Sequence, residues 1–112
     1  MAPSRMRVEV LVVEGCPNAE PAVQLVRDAA AEAGIDPEIA IVCINDLEAA
    51  RTLRFLGSPS IRVDGADVEY GFDQRAASLG CRIYQGDSGP SGVPDRHWVV
   101  TAFRNAAQSA RV

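Results

Sequence analysis

Two β-branched apolar runs, separated by a single segment of helical period, constrain this chain more than any other feature. Arg7 to Val13 reads R-V-E-V-L-V-V. It alternates at first and then becomes continuously apolar, which suits a strand whose far end is buried on both faces. Glu14-Gly15-Cys16-Pro17-Asn18 breaks the run. Ala22, Leu25, Val26, Ala29, Ala30 and Ala33 then recur at steps of three and four, which marks one helix face. Asn18 offers an N-cap, Pro21 is tolerated in the first turn, and Gly34 is a natural stop. Glu38 to Ile44 (E-I-A-I-V-C-I) predicts a second strand. Strand, helix and strand in this order predict parallel strands joined by a right-handed crossover.

The remainder completes a small α/β architecture. Asp46 is positioned to cap a helix from about Leu47 to Leu56, with Gly57 ending it. Ser58-Pro59 forces extended geometry at Ser58. Ser60 to Val63 predicts a third strand, Asp64-Gly65 a two-residue hairpin, and Ala66 to Glu69 the returning strand. Gly71 to Pro94 is the least regular stretch, with Cys81-Arg82-Ile83-Tyr84 as a short strand within it. Gly86 to Gly92 reads as a flexible loop, since it lacks the Lys of a phosphate loop. Pro94-Asp95 opens a last helix, whose apolar face is Val99, Ala102, Phe103, Ala106, Ala107 and Ala110. The expectation is one α/β domain over residues 1–112, with an irregular insertion at about 70–94. Its core is a central mixed four-stranded sheet with helices on both faces.

Charge and cysteine usage exclude several classes of function. The chain has 112 residues, 11 basic (all Arg) and 15 acidic, for a net charge of −4. An acidic chain without basic runs argues against nucleic-acid and anionic-membrane partners. No apolar run approaches the ~20 residues of a membrane helix. Nothing near the start reads as a signal peptide, so the expected location is cytoplasmic. Cys16, Cys43 and Cys81 are odd in number and widely spaced. They do not form a disulfide scaffold, and with one His they give no zinc spacing. What remains is thiol chemistry at one or two positions, or none; such chemistry needs no bound cofactor.

At Gly15-Cys16-Pro17-Asn18, Gly57-Ser58-Pro59-Ser60 and Asp64-Gly65 the chain resembles the thioredoxin fold. The resemblance covers roughly residues 7 to 69 and the last helix. More narrowly, Glu14 to Asn18, Leu56 to Gly65 and Cys81 to Tyr84 are similar to a group of short bacterial thioredoxin-like proteins, some of which carry the label alkylmercury lyase. The fold implied is a thioredoxin-like three-layer sandwich. The resemblance also implies a cis bond before Pro59, which would set Ser58 and Pro59 against the Cys16 sulfur and leave the Ser58 backbone open to an extended partner. Strand four of that topology returns toward the Cys16 end, so the Gly71 to Pro94 segment would emerge there and bring Cys81 with it. One departure is decisive. Thioredoxin has C-x-x-C, whereas here Ala19 stands three residues after Cys16.

The residues fit this chemistry. Cys16, at a predicted helix start, meets the positive end of the helix dipole, which favours a thiolate. Pro17 stiffens its turn. Cys81 is a candidate resolving cysteine; the plainer alternative is that it faces the core. Cys43, in an apolar run, reads as a buried structural thiol. Glu14 reads as facing water, and His97 as a surface or packing residue. The leading expectation is thiol–disulfide exchange, with Cys16 and Cys81 as catalytic residues and Pro17, Ser58 and Pro59 lining the substrate site. The partner would be a protein disulfide or a low-molecular-weight thiol. One alternative is a soft-metal handler, in which two thiolates hold mercury or copper(I) and Glu14 or Asp73 supplies a proton for carbon–mercury cleavage. Another is a non-catalytic binding module. The alanine-rich face of the last helix allows packing on the sheet or on a twin chain in a homodimer.

Overall fold

The computed structural model describes residues 6–69 and 78–109. β1 (Arg7–Val12), α1 (Ala19–Ala33) and β2 (Glu38–Cys43) form the expected crossover. β1 and β2 pair in parallel through an unbroken register from Arg7 with Glu38 to Val12 with Cys43. α2 (Leu47–Thr52), β3 (Leu56–Ser58), β4 (Ser60–Val63) and β5 (Ala66–Asp67) follow. β4 lies antiparallel to β1 and turns at Asp64-Gly65 into β5, giving a mixed four-stranded sheet in the order β2-β1-β4-β5. The last elements are β6 (Ser78–Cys81), β7 (Tyr84–Gly86), β8 (Gly89–Ser91) and α3 (Arg96–Ser109).

The period-2 geometry of β1 divides the core. Val8, Val10 and Val12 point to one face, where they pack with Ala22, Val26, Ala29 and Ala30 of α1 and with Val99 and Phe103 of α3. Leu11 points to the other face and packs with Ile44, with Ala50 of α2 and with Phe55. Helices therefore cover both faces of the mixed sheet.

Several expectations are corrected. α2 stops at Thr52 rather than near Leu56. Arg54 takes a left-handed conformation (φ 54°), which turns the chain so that Phe55 drops fully buried into the α2-side core. Burial of one aromatic ring overrides helix continuation there, and Gly57 serves another purpose, described below. The returning strand is two residues, Ala66–Asp67, rather than four. Gly86 to Gly92 is not a flexible loop: β7 and β8 pair as an antiparallel hairpin. Gly86 is needed there for close approach, because a Cβ at that position would collide with the Asp95 carboxylate. That carboxylate accepts from the Asp87 N–H at 2.8 Å.

Cys43 is also corrected, from buried to exposed. Its strand, β2, lies at the edge of the sheet, so an apolar run that would be covered in a central strand is partly bare. The Cys43 thiol donates to Asn45 Oδ1 at 3.3 Å. Among the described residues, no helix is long and apolar enough to cross a membrane. Asp73 and Ala110, named above, lie outside the described residues.

Candidate functional site

Gly57-Ser58-Pro59-Ser60 is the point where the separate elements meet. The Ser58–Pro59 peptide bond is cis, the conformation that the resemblance implies. Gly57 has φ 117°, and a Cβ there would lie 3.0 Å from the Cβ of Arg82, so both its backbone angle and the close passage of Arg82 require glycine. The Ser60 hydroxyl donates to Gly57 O at 2.6 Å, closing the turn on itself.

Three long-range ties hold this turn. The Val13 N–H, just past β1, donates to Ser58 Oγ at 3.0 Å. The Arg82 N–H donates to Ser58 O at 3.0 Å. The Tyr84 hydroxyl donates to Pro59 O at 2.6 Å. Both Ser58 and Ser60 are fully buried, and these bonds meet the cost of burying their polar atoms.

Cys16 reaches the turn through Val13. Its N–H donates to Val13 O at 3.2 Å, and its own carbonyl accepts from the Ala19 N–H at 3.2 Å. Cys16 therefore sits in two successive turns ahead of α1 and not inside the helix, which begins at Ala19. The helix field weakens outside the first turn, so the helix-end argument for its reactivity is weaker than the sequence suggests. Asn18 occupies the N-cap position, but its side chain makes no capping bond and lies instead against Gly92. Cys16 is half-buried, and Pro17 and Glu14 are exposed beside it.

Cys81 arrives from the other side. β6 pairs in parallel with β3 and sets Cys81 in register with Ser58. Cys81 is exposed rather than core-facing. One backbone tie thus separates Cys16 from the residue that anchors Ser58, and Cys81 is the strand neighbour of Ser58 itself. The same pairing corrects the expectation for Ser58. Its backbone is not open to an extended partner, because β6 and Arg82 already lie against it.

Arg82 fixes this arrangement. It is 3% exposed, and its guanidinium donates to both carboxylate oxygens of Asp67 at 2.7 and 2.8 Å, to Glu69 at 3.2 Å and to Ser60 Oγ at 2.9 Å. The cation also stacks on Tyr84, 4.3 Å from the ring centre. Burial opposes the charge, but the hydrogen bond with Asp67, the fields of Tyr84 and Asp67 and the bond with Glu69 outweigh it and raise the guanidinium pKa above its ordinary value. Burial likewise raises the Tyr84 phenol well above its usual range, against the lowering field of Arg82. Nothing in the sequence marks Arg82 as an organiser beyond its position directly after Cys81 in a segment rich in glycine.

Two further features lie beside this site. A cleft of about 960 Å³ between the β4–β5 hairpin and α3 is lined by Val63, Val68, Trp98 and Ala102, with Asp67 and Glu69 also facing it. Neither Cys16 nor Cys81 lines it. His97, at the start of α3, lies 3.7 Å from Asp87 and 4.0 Å from Asp95. These three exposed or half-exposed groups are the set among the described residues whose ligand atoms would fit around one metal ion, and no cysteine belongs to it. No protein-family model, curated protein or solved structure matches this chain.

Two outcomes follow from this geometry. Asp67→Ala leaves the buried guanidinium without its bidentate partner, and urea unfolding should show a loss of about 3 kcal/mol, because breaking one side of a buried ion pair costs far more than breaking a surface pair. The phenol of Tyr84 is held protonated by the fold. Its contribution is therefore fully present below the ordinary tyrosine value of ~10 and is lost as pH rises beyond it. Stability measured from neutral to alkaline pH should fall in that range, and Tyr84→Phe should flatten the fall while lowering stability at neutral pH by ~1 kcal/mol through the lost bond to Pro59 O.

Proposed function

We propose that this chain is a thioredoxin-like thiol–disulfide exchange protein in which Cys16 attacks and Cys81 resolves. The observation that carries the reading is the shared anchor at Ser58. Its hydroxyl binds the segment leading to Cys16, and its strand partner is Cys81. The cis bond before Pro59, the mixed sheet and the helices on both faces support a thioredoxin-like sandwich. The absence of a second cysteine at Ala19 is then compensated by one supplied from β6.

The reaction balances as two exchanges. The Cys16 thiolate attacks one sulfur of a substrate disulfide, forms a mixed disulfide and expels the other sulfur as a thiolate, which takes a proton. The Cys81 thiolate next attacks the Cys16 sulfur, releases the second substrate thiol and closes a Cys16–Cys81 disulfide. The substrate gains two electrons and the protein loses two. Two equivalents of a low-molecular-weight thiol reduce the protein again and leave as their own disulfide. Substrate approaches beside exposed Pro17 and Cys81, since Ser58 is covered.

Reduction of a chromogenic aromatic disulfide, with glutathione as the final reductant, tests this reading. Cys16→Ser should fall to the uncatalysed background. In a single turnover without glutathione, Cys81→Ser should retain a mixed disulfide on Cys16, visible by intact mass, and in the full assay Cys43→Ser should keep the wild-type rate. A Cys16→Ser protein as active as wild type would remove the proposal.

A further inference from the structure

The outer edge of β2 carries an unused ladder. β2 pairs with β1 and with no other strand among the described residues. The Glu38 N–H donates to Met6 O and the Ile44 N–H to Val12 O, both at 2.8 Å. In a parallel ladder, residues at even offset from these turn their main-chain groups to the same neighbour, and the alternate residues turn theirs away. Ile39, Ile41 and Cys43 therefore direct N–H and C=O outward, along the free edge. Ile41 is 62% exposed and Cys43 is exposed.

Edge strands are normally guarded by charge, proline, a bulge or short length. From Ile39 to Cys43 the sequence is I-A-I-V-C, with no charge and no proline, and the register with β1 has no bulge. The opposite edge, β5, is only Ala66–Asp67. Of the two edges of the four-stranded sheet, β2 is thus the long and unguarded one.

We infer that this edge is a self-association surface that takes a second copy of the chain, β2 against β2, antiparallel about a two-fold axis at Ile41. Residues that exchange both bonds must face outward on both strands, and only an axis at Ile41 pairs Ile39, Ile41 and Cys43 entirely among themselves: one at Ala40 would set Cys43 against Pro37, and one at Val42 would set Ile39 against Asn45, past the end of β2. An axis at Ile41 sets Ile41 against its counterpart and Ile39 against Cys43, all outward. An axis at Ile39 would oppose Ile41 to Pro37, which has no N–H to give. An axis at Cys43 would drive Ile39 onto Leu47, the first residue of α2. This register also keeps like charges apart. Glu38, the one charged residue of the strand, falls opposite Ile44, so the two Glu38 side chains lie at opposite ends of the ribbon. The two-fold is closed and consumes both β2 edges, so assembly stops at the dimer.

Sedimentation velocity under reducing conditions, over a concentration series, tests this surface. The wild type should form a dimer that dissociates on dilution. Ile41→Arg should remain a monomer at every concentration with an unchanged circular dichroism spectrum. Leu53→Arg, a change at another exposed apolar residue (41%), should behave as wild type. Register has its own readout. In Ile39→Cys, mild oxidation should join position 39 of one copy to Cys43 of the other, since paired Cα atoms ~5.5 Å apart are within disulfide reach. A wild type that stays monomeric and gives no such cross-link overturns the inference, and so does a dimer that Ile41→Arg leaves intact.

Discussion

A buried cation organises this molecule. Arg82 lies within the fold with its charge divided between Asp67 and Glu69, while its backbone holds Ser58 and its guanidinium rests on Tyr84. A charge taken out of water is tolerable only with partners in good geometry. That requirement works in both directions here. It fixes the conformation of the chain between β6 and β7, and it draws the β5 end toward the Gly57–Ser60 turn. Cys81 is the residue immediately before Arg82, so its place beside Ser58 follows from where the guanidinium must sit. A network of this kind contributes less to net stability than to holding one arrangement, because the two terminal guanidinium nitrogens each meet two specific acceptors, Ser60 and Asp67 for one and Asp67 and Glu69 for the other.

The backbone skeleton was legible because it rests on local rules. β1, α1 and β2 follow from β-branched runs and one helical stripe, the hairpin from Asp64-Gly65, and the α2 start from Asp46, whose carboxylate accepts from the Ala49 N–H at 2.7 Å. The misreadings each involve a partner distant in sequence. Gly57 resembles a helix stop, but its need for glycine comes from Arg82, and the helix ends earlier because Phe55 is drawn into the core. Gly86 resembles a flexible link, but it is small because Asp95 packs on it. Composition alone could not separate glycine for mobility from glycine for contact.

The cysteines follow the same pattern. Cys16 stands out in its G-C-P-N setting, although its place in the turns just ahead of the helix, outside its first turn, does not. Cys43 sits in a run as apolar as that of β1, and only the sheet order, which places β2 at the edge, leaves it in water. Cys81 depends on the pairing of β6 with β3, a parallel contact between segments more than twenty residues apart that no periodicity announces.

The exchange chemistry proposed above requires the Cys16 and Cys81 sulfurs to meet across Ser58. The direct measurement is peptide mapping by mass spectrometry of the Cys43→Ser protein after equilibration in a glutathione redox buffer. The chain should lose two hydrogens and yield one peptide pair joined through Cys16 and Cys81. Glutathione adducts on each thiol with no intrachain bridge, at every redox ratio, would contradict that chemistry.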